Sequence, residues 1–155
     1  MEEAQRRFLA GLPLTHEEGE RLFVHANAVA PGGWGYVTDR LEAARSLMAT
    51  RRRCVFCGHL HVPGLYRMAV NGLLDEFTPT GGIAIPLLPE HRWLAVLGAV
   101  GQPRDGDPEA CYALLDEERD ELTYVRVPYD AATAAEKILD AGLPPRLAAR
   151  LLQGW

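Results

Sequence analysis

The sequence predicts an α/β fold, an α+β sandwich of sheets with helices packed outside, in one domain over residues 1–155. Three observations carry this reading. A short unbroken apolar run, Cys54-Val55-Phe56-Cys57, stops at Gly58, as expected of a central strand buried on both faces. The elements come as a few helices and strands, then a run of strands separated by turn residues, then helices again. The last helices are marked by capping chemistry: Asp130 stands ahead of one, Gly142 closes it, and Pro144-Pro145 opens the next.

Taken in order, residues 2–12 read as a helix, with Phe8, Leu9 and Leu12 at helical spacing and Pro13 as the stop. Residues 14–16, the polar turn Glu17-Glu18-Gly19-Glu20 and residues 21–25 read as a hairpin whose second strand ends at His25. Residues 26–38 form a glycine-rich aromatic loop containing Pro31-Gly32-Gly33-Trp34-Gly35-Tyr36. Asp39 then caps a helix running to about Thr50. Arg51-Arg52-Arg53, a solvated helix end, precedes the central strand, and Gly58-His59-Leu60-His61-Val62-Pro63 leaves that strand as a loop. Strands are expected over residues 65–70, 83–88, 93–97, 110–116 and 122–128, with Pro86 marking the second as an edge or a bulge. Helices over residues 131–141 and from Pro145 through Leu152 close the chain.

Composition narrows the function. With 48% hydrophobic and 24% charged residues, the 155-residue chain can bury one core. The formal net charge is -5 and the arginines are dispersed apart from positions 51–53, which argues against nucleic acid as a partner. Three cysteines, an odd number, and no charged-then-apolar leader point to a reducing compartment, with the cytoplasm as the expected location. Apolar stretches break within about ten residues, short of the roughly 20 needed to cross a bilayer, so no membrane span is expected. No Ser-His-Asp order, phosphate-cradling glycine loop or dinucleotide fingerprint is present.

The chemistry concentrates in histidines. His59 and His61 leave a buried strand two residues apart, in a turn that Gly58 permits, and His25 ends another apolar strand. Loops at the carboxyl ends of α/β strands are where such sheets place ligands, and neutral imidazole binds zinc, iron, manganese or nickel. Ordinary loop and capping roles remain the alternative for these three residues. Cys54 and Cys57 with His59 and His61 offer a rival Cys2His2 zinc site, but a strand through Val55-Phe56 would point the two thiols to opposite faces. Cys111 reads as a plain strand residue, and His16 and His91 as solvated turn residues. Trp34 and Tyr36 either wall a cleft beside His25 or cover the edge of the core.

Three blocks together resemble a known family. Phe23-Val24-His25-Ala26, then Val55 through Pro63, then Gly98-Ala99-Val100-Gly101-Gln102-Pro103-Arg104-Asp105-Gly106-Asp107-Pro108 followed by Cys111-Tyr112-Ala113-Leu114-Leu115-Asp116, are similar in order and spacing to bacterial calcineurin-like metallophosphoesterases, in their phosphodiesterase-like branch. The resemblance spans nearly the whole chain and implies a hydrolase of phosphomonoesters or phosphodiesters with two divalent metal ions. By this resemblance His25 and His59 would ligate one ion, His61 the other, and Arg104 would meet a substrate phosphate with its planar fork. The metal would be manganese, iron, nickel or zinc. For Arg104 an ion pair with Asp105 or Asp107 is the competing expectation.

The departures from the family are equally specific. Its N-terminal blocks, an Asp-x-His, a Gly-Asp with a bridging aspartate and a Gly-Asn-His, do not stand ahead of His25, and the one Gly-Asp pair, Gly106-Asp107, comes too late. Val96-Leu97-Gly98-Ala99 replaces the Asn-Pro-Gly-Ser usual in relatives. Residues 1–155 are therefore expected to be the C-terminal half of a metallophosphoesterase sandwich flanked by helices, a partial domain carrying half a metal site. The other half would come from an upstream stretch or a separate N-terminal partner chain, with self-association into a homo-oligomer as a further expectation, and the isolated chain should act on a small phosphate ester weakly or not at all. The expectation from a different class is a non-catalytic remnant or binding module of the same fold.

Overall fold

The computed structural model describes residues 1–155. Its elements are α1 (Glu3–Ala10), β1 (Thr15–Glu18), β2 (Arg21–Val24), α2 (Arg40–Met48), β3 (Cys54–Cys57), β4 (Gly64–Met68), β5 (Leu74–Phe77), β6 (Ala84–Pro86), β7 (Arg92–Val96), β8 (Ala110–Asp116), β9 (Glu121–Val127), α3 (Ala131–Asp140) and α4 (Pro145–Gln153). One sheet has six strands in the order β1-β2-β3-β7-β4-β5, the other three in the order β6-β9-β8. The expected α/β sandwich is what forms. At the centre of the larger sheet β2, β3 and β7 run parallel, so their carboxyl ends open on one side.

β3 shows why a continuous apolar run suits this position. All four of its residues are buried. Val55 and Cys57 face a core completed by Ala43 and Leu47 of α2, while Cys54 and Phe56 face a second core with Cys111, Leu122 and Tyr124 of the smaller sheet. The thiols of Cys54 and Cys57 therefore lie on opposite faces of the sheet, which removes the Cys2His2 alternative. Burial pushes them up to about 11 and about 12, so both stay protonated and inert.

Local chemistry sets the boundaries. The hairpin turn is shorter than the sequence suggests: β1 runs to Glu18, and Gly19, at φ 54°, makes the reversal. Asp39 caps α2 by accepting from the Leu41 and Glu42 N–H groups at 2.8 and 3.0 Å. The strand expected over residues 65–70 stops at Met68, because the chain turns back at Gly72 (φ 81°) into β5. β5, Leu74-Asp75-Glu76-Phe77, is an outer strand that the pattern does not announce, since two carboxylates sit in its middle. Its pairing with β4 places Asp75 beside Arg67, at 2.6 Å. β6 is an edge strand, as Pro86 requires. α1 buries none of its residues, and Phe8, Leu9 and Leu12 are exposed. No helix is long and apolar enough to cross a membrane.

Candidate metal centre

The parallel strands deliver the histidines. His25 follows β2 directly, and its carbonyl accepts from the Gly58 N–H at 2.9 Å, which carries the β2–β3 ladder one step past the strand ends. The Leu60 N–H then donates to the Gly58 carbonyl at 2.7 Å, a tight turn centred on His59. His59 and His61 both take positive φ, 63° and 66°. For a non-glycine residue this conformation costs about 1–2 kcal/mol, and it persists where surrounding structure holds it, commonly at functional sites. Here the turn brings His25 Nε2 within 3.0 Å of His59 Nδ1, the rings inclined at 63°.

His61 is held differently. Its Nδ1–H donates to the Gln102 carbonyl at 2.7 Å, and its own carbonyl accepts from the Arg104 N–H at 3.1 Å. A proton held on Nδ1 by a backbone carbonyl leaves the Nε2 lone pair free, as it does in metal-binding imidazoles. Burial lowers the pKa of both His25 and His61. At His25 the neighbouring His59 and His61 add to it; at His61 the bond to Gln102 opposes it, and Arg104 reinforces it. Both rings are therefore more readily neutral than an exposed histidine, and neutral imidazole is the ligating form.

Arg104 has no carboxylate partner. The acids expected to compete for it, Asp105 and Asp107, both pair instead with Arg126 of β9. Arg104 is left with Gln102 Oε1 at 3.1 Å, while its Nε is buried and unpartnered. Gly106, in the same loop, donates its N–H to the Gly154 carbonyl at 2.7 Å, so the C-terminal end of α4 pins the segment that holds His61 and Arg104.

His16 lies in β1 rather than in a turn, its ring 6.1 Å from that of Phe23. His91 is not solvated; its side chain is mostly buried, with the ring 6.2 Å from that of Trp93. Trp34 lies 4.9 Å from the His25 ring, and Tyr36 stacks on His59 at 4.5 Å. Beside them a groove of about 900 Å³ opens between α1 and the sheet, lined by Leu12, Leu14, Phe23, His25, Trp34 and Phe56 among others.

Sequence reasoning overlooked two supports. Arg126 sits 19 and 21 residues from Asp107 and Asp105, with no local pattern to link them. Asn27 was detectable as a turn-former just after His25: its Oδ1 accepts from the Val29 and Ala30 N–H groups at 3.0 Å each, and its Nδ2 donates to the Gly35 carbonyl at 2.8 Å.

Chemically the donor set fits a divalent ion only in part. Paired imidazoles suit zinc, manganese, iron or nickel, yet they bring no negative charge, and no three His, Cys, Asp or Glu side chains converge on one point.

Comparison with known proteins gives the fold its context. No protein-family model matches the chain. It is 35% identical over 153 residues to an uncharacterized protein of Methanocaldococcus jannaschii, covering 96% of this chain and 59% of that one. Its fold matches a crystal structure of a metallophosphoesterase from Sphaerobacter thermophilus with a TM-score of 0.90 and 30% identity, covering 100% of this chain and 63% of the other. A hypothetical protein of Pyrococcus horikoshii shares the fold at a TM-score of 0.73 and 18% identity, over 98% of this chain and 55% of that one. The architecture is thus that of a metallophosphoesterase. The chain spans about 60% of the length of these first relatives.

Proposed function

We propose that this chain belongs to the calcineurin-like metallophosphoesterases as their C-terminal part, and supplies the histidine half of a metal-dependent phosphoesterase centre. The observation that supports this most is the imidazole pair, His25 and His59 at 3.0 Å, on the carboxyl ends of parallel strands. His25 and His59 would hold one divalent ion and His61 the second, with manganese, iron, nickel or zinc all compatible. Such a pair of ions, when bound, supplies activated water and charge stabilisation for attack on a phosphate ester.

Each residue of the chain then has a task. The Gln102 carbonyl keeps the His61 proton on Nδ1, so Nε2 stays available. Arg104, freed by Arg126, receives a phosphate oxygen pair with its fork. Three neutral imidazoles cannot offset two divalent cations, and a bridging carboxylate is needed to hold such ions close. That carboxylate would come from the polypeptide that the relatives carry beyond the matched region, packed over the apolar groove beside His25. A separate N-terminal chain and a second copy of this one are the other ways to cover that surface.

The test is to purify the chain, add manganese, and measure bound metal, oligomeric state and turnover of p-nitrophenyl phosphate. One tightly bound ion and weak turnover are expected, both lost in His59→Ala. Metal binding untouched by His59→Ala overturns the metal assignment. Vigorous turnover by a monomer, abolished by His59→Ala, overturns the half-site reading alone. The lack of a three-ligand cluster favours a second reading, a non-catalytic binding module, which predicts one ion bound and no turnover in any assembly.

A further inference from the structure

We infer that Trp34 and Tyr36 are positioning residues, whose rings hold the imidazoles of His25 and His59 nitrogen to nitrogen so that one divalent ion can enter between them. For the ion this rests on the metal-centre reading; for the ring packing it rests on geometry alone. Four rings gather at the carboxyl ends of β2 and β3. The His59 ring has three of them as neighbours: His25 at 4.9 Å, Trp34 at 5.6 Å, and Tyr36 at 4.5 Å, tilted by only 16°. The His25 ring has two, His59 and Trp34, each at 4.9 Å. All these contacts lie within the chain and need nothing from the polypeptide that its relatives carry beyond the matched region.

A histidine side chain has freedom that the backbone does not remove. The left-handed turn at His59 fixes where its Cβ points, but leaves χ1 and χ2 to choose among several wells. Few of those choices direct Nδ1 at His25 Nε2. A ring packed flat on Tyr36 cannot turn about χ2 without losing that contact, and Trp34 bounds both imidazoles at once. The 3.0 Å between the two nitrogens is close to what a shared ion requires. Two imidazole nitrogens at about 2.0–2.1 Å from one ion stand roughly 3.0–3.4 Å apart. Ligands already held near that spacing lose little freedom when the ion arrives.

The loop is built to keep the two rings in place. Asn27 ties its first and last turns together through Val29, Ala30 and Gly35. A side chain at Gly35 would lie 3.1 Å from Asn27 Nδ2, so the glycine makes room for that tie. The Ala28 N–H donates to the buried Ser46 Oγ at 2.9 Å, which fastens the loop to α2. Trp34 takes a left-handed φ of 56°, and His59, which it meets across the cluster, takes 63°. Of the four non-glycine residues with positive φ, three are Trp34, His59 and His61. Backbone strain concentrated on one ring cluster marks a geometry that the surroundings impose, which a loop merely covering the core would not need.

Nuclear magnetic resonance of the metal-free chain and calorimetric titration with manganese test this together. The unaltered chain is expected to show the hydrogen bond between His25 Nε2 and His59 Nδ1 in imidazole nitrogen spectra, and to bind manganese in a step that His59→Ala removes. In Tyr36→Leu, and more so in the double variant Trp34→Leu, Tyr36→Leu, the hydrogen bond should average away and that step should weaken about tenfold or more. Both rings are half exposed, so the denaturation midpoint should stay near that of the parent. Trp34→Phe and Tyr36→Phe keep a ring and should keep both signals, whereas leucine keeps only apolar bulk. Leucine variants that retain the hydrogen bond and the affinity overturn the positioning role. So do phenylalanine variants that lose as much as leucine, or a loss that merely follows a fall in stability. If the unaltered chain shows no step that His59→Ala removes, the metal reading fails, and the hydrogen bond in the leucine variants decides the ring packing by itself.

Discussion

The two flanks of the histidine site are finished to different degrees. On the His61 flank the loop is tied within the chain: His61 to Gln102, the Arg104 N–H to the His61 carbonyl, Asp105 and Asp107 to Arg126, and Gly106 to Gly154. On the His25 flank the polypeptide ends in open surface. β1 is exposed throughout, α1 buries nothing, and the exposed Leu9, Leu12 and Leu14 line the groove. The same sheet is therefore covered where α2 and the smaller sheet pack on it and open at the groove beside His25. The difference teaches that fold stability and site completeness are separate matters here. β3, β7 and the two cores hold the histidines in place although the groove beside His25 stands open.

Substitutions should register that contrast. The largest effect is expected on the pinned flank, from Gly154→Ala. A Cβ there would lie 2.6 Å from the Asp107 carbonyl carbon, and the residue has φ 68°. Backbone cannot yield as a flexible side chain does, so the overpacking should cost about 1–3 kcal/mol. The left-handed φ adds roughly 1–2 kcal/mol. Chemical denaturation measures the loss, and amide shifts at Arg104 and His61 should accompany it. A Gly154→Ala chain as stable as the parent would show that α4 does not pin the loop.

The smallest effect is expected on the open flank. Leu12 is 51% exposed in the groove, and Leu12→Ala should change the stability of the isolated chain by no more than about 0.5 kcal/mol. A cost several times larger, read from the same denaturation curves and growing with protein concentration, would show that a second copy already covers the groove.

Most of the fold could be read from the chain because its signals are local. The run Cys54-Val55-Phe56-Cys57 can be little else than a strand buried on two faces, and Asp39, Asp130 and Pro145 mark helix starts by chemistry that needs no tertiary partner. β5 escaped because Asp75 and Glu76 break the apolar pattern; it forms by pairing with β4, which is a tertiary event. The candidate site was legible at His25, His59 and His61, since a strand end followed by a histidine can be seen in one dimension. The release of Arg104 was not, for it depends on Arg126, a residue of β9 that reaches the Asp105–Asp107 segment only in the folded chain. The placement of Tyr36 on His59 was equally hidden, because it follows from the left-handed backbone at Trp34 and His59.

The central claim is that the histidine pair is a metal half-site, and anomalous diffraction from crystals of the chain soaked in manganese tests it most directly. The account requires a peak within bonding distance of both His25 Nε2 and His59 Nδ1, absent in crystals of His59→Ala. A peak elsewhere on the chain, or none near these nitrogens at manganese concentrations that saturate the solution titration, would contradict it.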